Sequence, residues 1–207
     1  MLIYASFLIG AAAIFDFLDG FAARLLKVHS EIGKQLDSLA DMVTFGVLPG
    51  MILFNLIQPT LRANELPSQL AFITFLIPVF SALRLAKFNI DTRQSDSFIG
   101  VPTPANSILI GSLPLILKYN PSFECLILNP YFLIITTIIM SYLLVAELPL
   151  FALKFKNFTW ADNKIRYIFL VLSLILLFAF QFTGIPFTIL LYIVLSVINN
   201  LQKRKNA

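Results

Sequence analysis

Four carboxylates, Asp16, Asp19, Asp37 and Asp41, stand close together in an otherwise apolar part of the chain. Asp16 and Asp19 are spaced i, i+3, and Asp37 and Asp41 i, i+4, so each pair shares one face of a helix. Unpaired charge is costly in such surroundings, and a divalent cation is the simplest partner for four acids. Hard cations such as Mg²⁺ and Mn²⁺ take carboxylate oxygens. Two carboxylates on each of two facing helices can hold two metals, and such a pair can clamp a diphosphate. Gly20 and Ala23 follow Asp19 by one and four residues, and Gly33, Asp37 and Asp41 form an i, i+4, i+8 stripe with Ala40 beside it. Small residues there serve close helix packing or leave room for a ligand against the backbone. Arg24 is suited to a bidentate phosphate contact, or to snorkelling at an interface.

The elements that carry these acids must sit in a membrane. The chain has 207 residues, 58% of them hydrophobic, with a mean hydropathy of +0.87 and only 13% charged. A soluble domain has roughly a quarter of its residues charged. The net charge of +4 is weak ground for nucleic-acid binding, and no nucleic-acid partner is expected. The single Cys125 excludes an internal disulfide framework and a multi-cysteine zinc site, and the single His29 disfavours a histidine-rich metal site. The N-terminus lacks the basic segment of a cleavable signal peptide. The fold class expected is all-α and polytopic. Seven apolar runs are candidate spans, at 2–25, 37–58, 69–88, 103–119, 130–150, 165–182 and 184–201. With the N-terminus outside, every Lys and Arg except Arg62 and Lys118 falls on one side, which the positive-inside rule makes cytoplasmic. Asp16 to Asp41 then straddles a cytoplasmic turn. No repeat or linker divides the chain, so a single domain over 1–207 is expected.

The stretch D-F-L-D-G-F-A-A-R, eight residues, then G-K-Q-L-D-S-L-A-D fits the pattern D-x2-D-G-x2-A-R-x8-G-x3-D-x3-D at all its fixed positions. In this the chain resembles the CDP-alcohol phosphotransferase family. Two further patches, S-A-L-R-L-A-K-F-N from Ser81 to Asn89 and S-F-I-G-V-P-T-P-A-N from Ser97 to Asn106, look like its phosphatidylserine synthase branch. The resemblance implies that Asp16, Asp19, Asp37 and Asp41 hold two divalent ions, Mg²⁺ or Mn²⁺. It also implies that Asp41 receives the proton of the acceptor hydroxyl. By the same resemblance Gly20, Ala23 and Gly33 make room for the cytidine end, and Arg24 contacts the diphosphate. The implied reaction moves a phosphatidyl group from CDP-diacylglycerol to the hydroxyl of L-serine, giving phosphatidylserine and CMP.

The acceptor region is expected at 81–106. Arg84, Lys87 or Arg93 would meet the serine carboxylate, and Asn89, Asp91 or Asp96 its ammonium; ordinary positive-inside charge is the competing reading. Glu147 is expected at the cytoplasmic end of the fifth span, facing the same site. Family members are usually homodimers in membrane lipid and carry one more N-terminal helix, so the chain is expected to be one helix short there. Within the family, glycerol 3-phosphate or an inositol phosphate is an alternative acceptor. Outside it, a divalent-cation transporter would need acids at mid-membrane, and an intramembrane aspartyl protease would need Tyr-Asp and Gly-x-Gly-Asp motifs that the sequence lacks.

Overall fold

A computed structural model describes residues 1–27, 30–91, 97–153, 157 and 159–205. These residues are almost entirely helical. The helices are α1 (Leu2–Leu26), α2 (Glu31–Asp41), α3 (Leu48–Ala63), α4 (Leu76–Ile90), α5 (Thr103–Tyr119), the single turn α6 (Glu124–Ile127), α7 (Pro130–Val145), α8 (Trp160–Phe180) and α9 (Gly184–Lys205). A π-helical turn, Met42–Val47, joins α2 to α3, and a 3₁₀ segment, Ser68–Phe75, leads into α4. By length and apolarity four helical stretches can cross a membrane, namely Leu2–Ala23, Glu31–Ala63, Ser68–Ile90 and Asn163–Gln202. A fifth is added if the bent pair Pro121–Ile127 and Pro130–Val145 counts as one span. The sixth and seventh expected runs fall together in the last of these stretches, as α8 and α9, and α5 is only 17 residues long.

The core forms where α1, α3, α4, α5 and α7 meet. Ile9, Ile52, Leu53, Ile57, Ile77, Ile110 and Leu133 are fully or almost fully buried there. Gly50 brings α3 against α4, since a Cβ on it would stand 2.9 Å from Pro78 Cδ. The outward surface remains apolar, as a lipid-facing surface requires: Phe7, Leu8, Phe17, Ile138, Phe178 and Val194 are all exposed.

Among the described residues the departure from an all-α chain is a strand pair, one strand just before the fourth expected span and the other at the end of the fifth. Strands β1 (Ser97–Ile99) and β2 (Pro149–Phe151) pair antiparallel, Ser97 opposite Phe151 and Ile99 opposite Pro149. The fifth expected run therefore stops being helical at Val145, and Glu147 lies exposed in the turn that follows. Gly100 makes this junction possible. Its φ is +75°, and a Cβ on it would sit 2.5 Å from the Leu144 carbonyl oxygen. Its N–H donates to Leu148 O at 3.0 Å, and the Val101 N–H donates to Leu143 O at 2.9 Å. Tyr192 Oη on α9 donates to Phe151 O at 2.8 Å, and Asn200 Nδ2 to Pro149 O at 2.6 Å. The small sheet thus fastens the entrance of α5 to the ends of α7 and α9.

Candidate metal and nucleotide site

α1 descends to Leu26 and α2 starts afresh at Glu31. The restart is capped: Ser30 is extended, and its Oγ accepts from Gly33 N–H at 2.9 Å. A Cβ on Gly33 would stand 2.7 Å from that Oγ, so the glycine admits the cap as well as lining the site. The turn presents the second acid pair to the first. One carboxylate oxygen from each of Asp16, Asp19 and Asp37 falls within 4.8 Å of the others. Three converging carboxylates make a hard-oxygen donor set that fits Mg²⁺ or Mn²⁺. Asp19 and Asp37 are exposed and Asp16 is half-buried.

Asp41 stands outside this trio. It is half-buried and interacts electrostatically with Asp16, Asp37 and Asp19, and with Arg84 of α4. Directly after it the helix widens into the π turn, where the Leu48 N–H bonds Val43 O. Such turns reset the phase of a helix and recur at functional sites. Gly46 in the turn packs on α4, since a Cβ there would lie 3.0 Å from Ser81 Cβ.

A groove of about 950 Å³ opens beside the trio, lined chiefly by Asp19, Gly20, Ala23, Gly33, Asp37 and Ala40. A Cβ on Gly20 would meet nothing within 4 Å, so this glycine keeps the wall open and is not closing a helix contact. The volume is that of a nucleotide-sized ligand site. Gly20, Ala23 and Gly33, singled out in the sequence, therefore line one space. Arg24 lies on α1, but its side chain is outside the described residues, as are Arg93 and Asp96.

Ser30, Glu31 and Lys34 also line the groove, and the signature pattern does not mark them. Ser30 three residues before Gly33 is the one signal the sequence offers for them, as a helix cap. Lys34 Nζ donates to Asn89 O at 3.1 Å, and Asn89 Nδ2 donates to Ser38 Oγ at 2.9 Å. Because α2 buries none of its residues, these two bonds tie it to the end of α4. Asn89 is thus engaged with α2. Lys87 is exposed, whereas Arg84 is 7% exposed, with its Cζ 5.9 Å from the Phe88 ring centroid.

The chain is similar to several known proteins. A CDP-diacylglycerol–serine O-phosphatidyltransferase of Bacillus subtilis is 36% identical over 143 residues, 69% of each chain. The Helicobacter pylori protein of that name is 40% identical over 110 residues, covering 52% of this chain and 44% of its own. That of Methanocaldococcus jannaschii is 40% identical over 114 residues, covering 54% of this chain and 51% of its own. The chain thus spans about half the length of most of these relatives. The CDP-alcohol phosphatidyltransferase family matches residues 1–198. Set beside the convergent acids and the open groove, that match means that the chain belongs to the CDP-alcohol phosphatidyltransferase family.

Proposed function

We propose that this protein is an integral membrane enzyme that transfers the phosphatidyl group of CDP-diacylglycerol to the hydroxyl of L-serine, forming phosphatidylserine and releasing CMP. The observation that carries the proposal is the convergence of Asp16, Asp19 and Asp37 at the edge of a groove kept open by Gly20 and Ala23. The names of the relatives support serine as the acceptor. All 207 residues act as one catalytic domain in the cytoplasmic membrane of a bacterial or archaeal type of cell. The site faces the cytoplasm, on the strength of the basic-residue distribution, and a homodimer is proposed on the family resemblance alone.

In this reading Asp16, Asp19, Asp37 and Asp41 would hold two divalent ions, which supply charge neutralisation at the diphosphate oxygens and the leaving CMP. Gly20, Ala23 and Gly33 leave the groove free for the cytidine and ribose, and Arg24 binds a phosphate oxygen. The acyl chains remain in the bilayer against the exposed apolar faces. Acceptor recognition falls to the Arg84–Asn89 stretch, with Arg84 inside and Lys87 at the exposed mouth, while Asn89 holds α2 in place beside them. The serine hydroxyl oxygen attacks the phosphorus that carries the lipid. A new O–P bond forms, the O–P bond to CMP breaks, and CMP departs with that electron pair. Asp41 receives the hydroxyl proton and later returns it to water.

The test is CMP release from CDP-diacylglycerol by the purified protein with Mg²⁺ or Mn²⁺, offered L-serine, glycerol 3-phosphate or inositol phosphate. Serine-dependent release that is lost in Asp41→Asn is the expected result. Release only with a phosphorylated acceptor would retain the family chemistry and overturn serine.

A further inference from the structure

Among the described residues, ten buried side-chain nitrogen or oxygen atoms have no hydrogen-bond partner. Six of them belong to five residues on two short segments: Ser81 Oγ and Arg84 Nε on α4, and Thr103 Oγ1, Asn106 Nδ2 and Oδ1, and Ser107 Oγ on α5. Arg84 is 7% exposed and the other four are fully buried. Buried hydroxyls elsewhere are divided: Ser141, Ser173, Thr188 and Ser196 are also unpaired, one to a place rather than clustered with an amide and a guanidinium. Thr60, Thr74, Ser112 and Thr137 each donate to a carbonyl three or four residues back, at 2.6–2.8 Å. A buried amide with both ends unpaired is unusual in a folded protein and calls for a partner that comes from outside it.

The five residues lie on α4 and the start of α5, two helices that both pack on the π turn that follows Asp41 and on each other. Ser81 lies against Gly46 of that turn. Arg84 interacts electrostatically with Asp41 and with Tyr192, whose hydroxyl holds β2. The level of the α5 residues follows from its register with α1. Ile9 packs against Gly111, and the alternating spans expected from the sequence run the two helices antiparallel. Equal steps along both, at the common helical rise, carry Ile9 to Asp16 and Gly111 to Pro104. The polar end of α5 is therefore level with Asp16. None of the five lines the 950 Å³ groove. Through Arg84, which interacts electrostatically with Asp41, the cluster adjoins the acid without sharing the groove.

We propose that Arg84, Ser81, Thr103, Asn106 and Ser107 form the binding site for the charged end of the acceptor, and that they select a small zwitterion carrying one carboxylate and one ammonium. This rests on the phosphatidyltransferase reading and extends it. Arg84 takes the carboxylate, for which its planar donor fork is suited. Asn106 Oδ1 and the hydroxyls accept from the ammonium, and Asn106 Nδ2 gives a second donor to the carboxylate. The site has one buried cation, which balances a monoanion and leaves half the charge of a phosphate monoester uncompensated.

The experiment measures KM for L-serine and for CDP-diacylglycerol in the full chain, wild type against Arg84→Gln, Asn106→Leu and Thr103→Val, with ethanolamine as an acceptor lacking the carboxylate. Arg84→Gln is expected to raise the serine KM by about 100-fold and Asn106→Leu by about tenfold, with the CDP-diacylglycerol KM within about twofold of wild type. Arg84→Gln is also expected to reduce the preference for L-serine over ethanolamine. L-serine is expected to raise the melting temperature of the wild type and not of Arg84→Gln, a readout that does not need turnover. Unchanged serine KM in the Arg84 and Asn106 variants would overturn the assignment. So would a parallel rise in both KM values with no change in acceptor preference, which is what a merely structural role would give. The milder Thr103→Val keeps the test decisive if Asn106→Leu does not fold. Wild-type activity with glycerol 3-phosphate alone would overturn the serine reading and this site with it. Serine turnover with unaffected variants would overturn this site only.

Discussion

The two halves of the proposed reaction centre are built in opposite ways. The donor half, Asp16 to Asp41, is exposed, gathers several charges of one sign and buries no residue of α2. The acceptor half, on α4 and the start of α5, is buried and neutral apart from Arg84, and it is defined by polar atoms without partners. The contrast is the one that the two proposed ligands would require. A metal-bound diphosphate carries charge that only carboxylates and ions can organise, and its lipid tails require a site open to the bilayer. A small amino acid is recognised by a few hydrogen bonds, which discriminate well only when water is excluded.

The largest effect is expected at the point where the halves meet. Asp41→Asn should lower kcat by roughly a thousandfold while leaving CDP-diacylglycerol bound, measured by CMP release and by nucleotide-lipid binding. A variant that loses binding as well would move Asp41 wholly into the donor half. Next, Asp37→Asn should raise the Mg²⁺ or Mn²⁺ concentration needed for half-maximal rate by more than the roughly 10–100-fold typical of losing an outer partner. Chelation should abolish activity and restored metal should return it. In the groove, Gly20→Val should raise the CDP-diacylglycerol KM by about tenfold, since one branched side chain fills space now open, with the serine KM unchanged.

Two smaller effects test how the halves are held. Gly100→Ala should cost about 2 kcal/mol of stability, measured by thermal or denaturant unfolding in detergent. The φ of +75° and the 2.5 Å approach to Leu144 O leave no room for a Cβ. Asn89→Ala should cost about 1 kcal/mol and reduce kcat a few-fold by loosening α2 from α4, with the serine KM unchanged. A selective rise in the serine KM would instead make Asn89 an acceptor contact, as its place in the sequence suggests.

The donor half is legible in the sequence because its chemistry is local. Carboxylates spaced i, i+3 and i, i+4 share a helix face by geometry alone, and Gly20, Ala23 and Gly33 fall on the same short stretch. The acceptor half is legible only in part. Arg84 stands out as a charge a turn inside a helix end. Thr103, Asn106 and Ser107 give no signal, since nothing in their spacing tells whether their polar atoms find partners. The strand pair is not legible either: Ser97–Ile99 and Pro149–Phe151 are far apart in the chain, and each is too short for a period-two pattern.

Composition and local spacing by themselves determined that this chain belongs in a membrane, that it is helical, and that Asp16, Asp19, Asp37 and Asp41 form a family signature; each of these depends on residue type and on neighbours within two helical turns. Only the tertiary structure decided that three of those acids converge while Asp41 stands apart, facing Arg84. It also decided that Asn89 ties α2 in place, and that five polar residues of α4 and α5, two helices packed on the turn after Asp41, are buried with side-chain atoms left unpaired. Those outcomes depend on which helices pack together and in what register, and long-range packing leaves no trace in local sequence period.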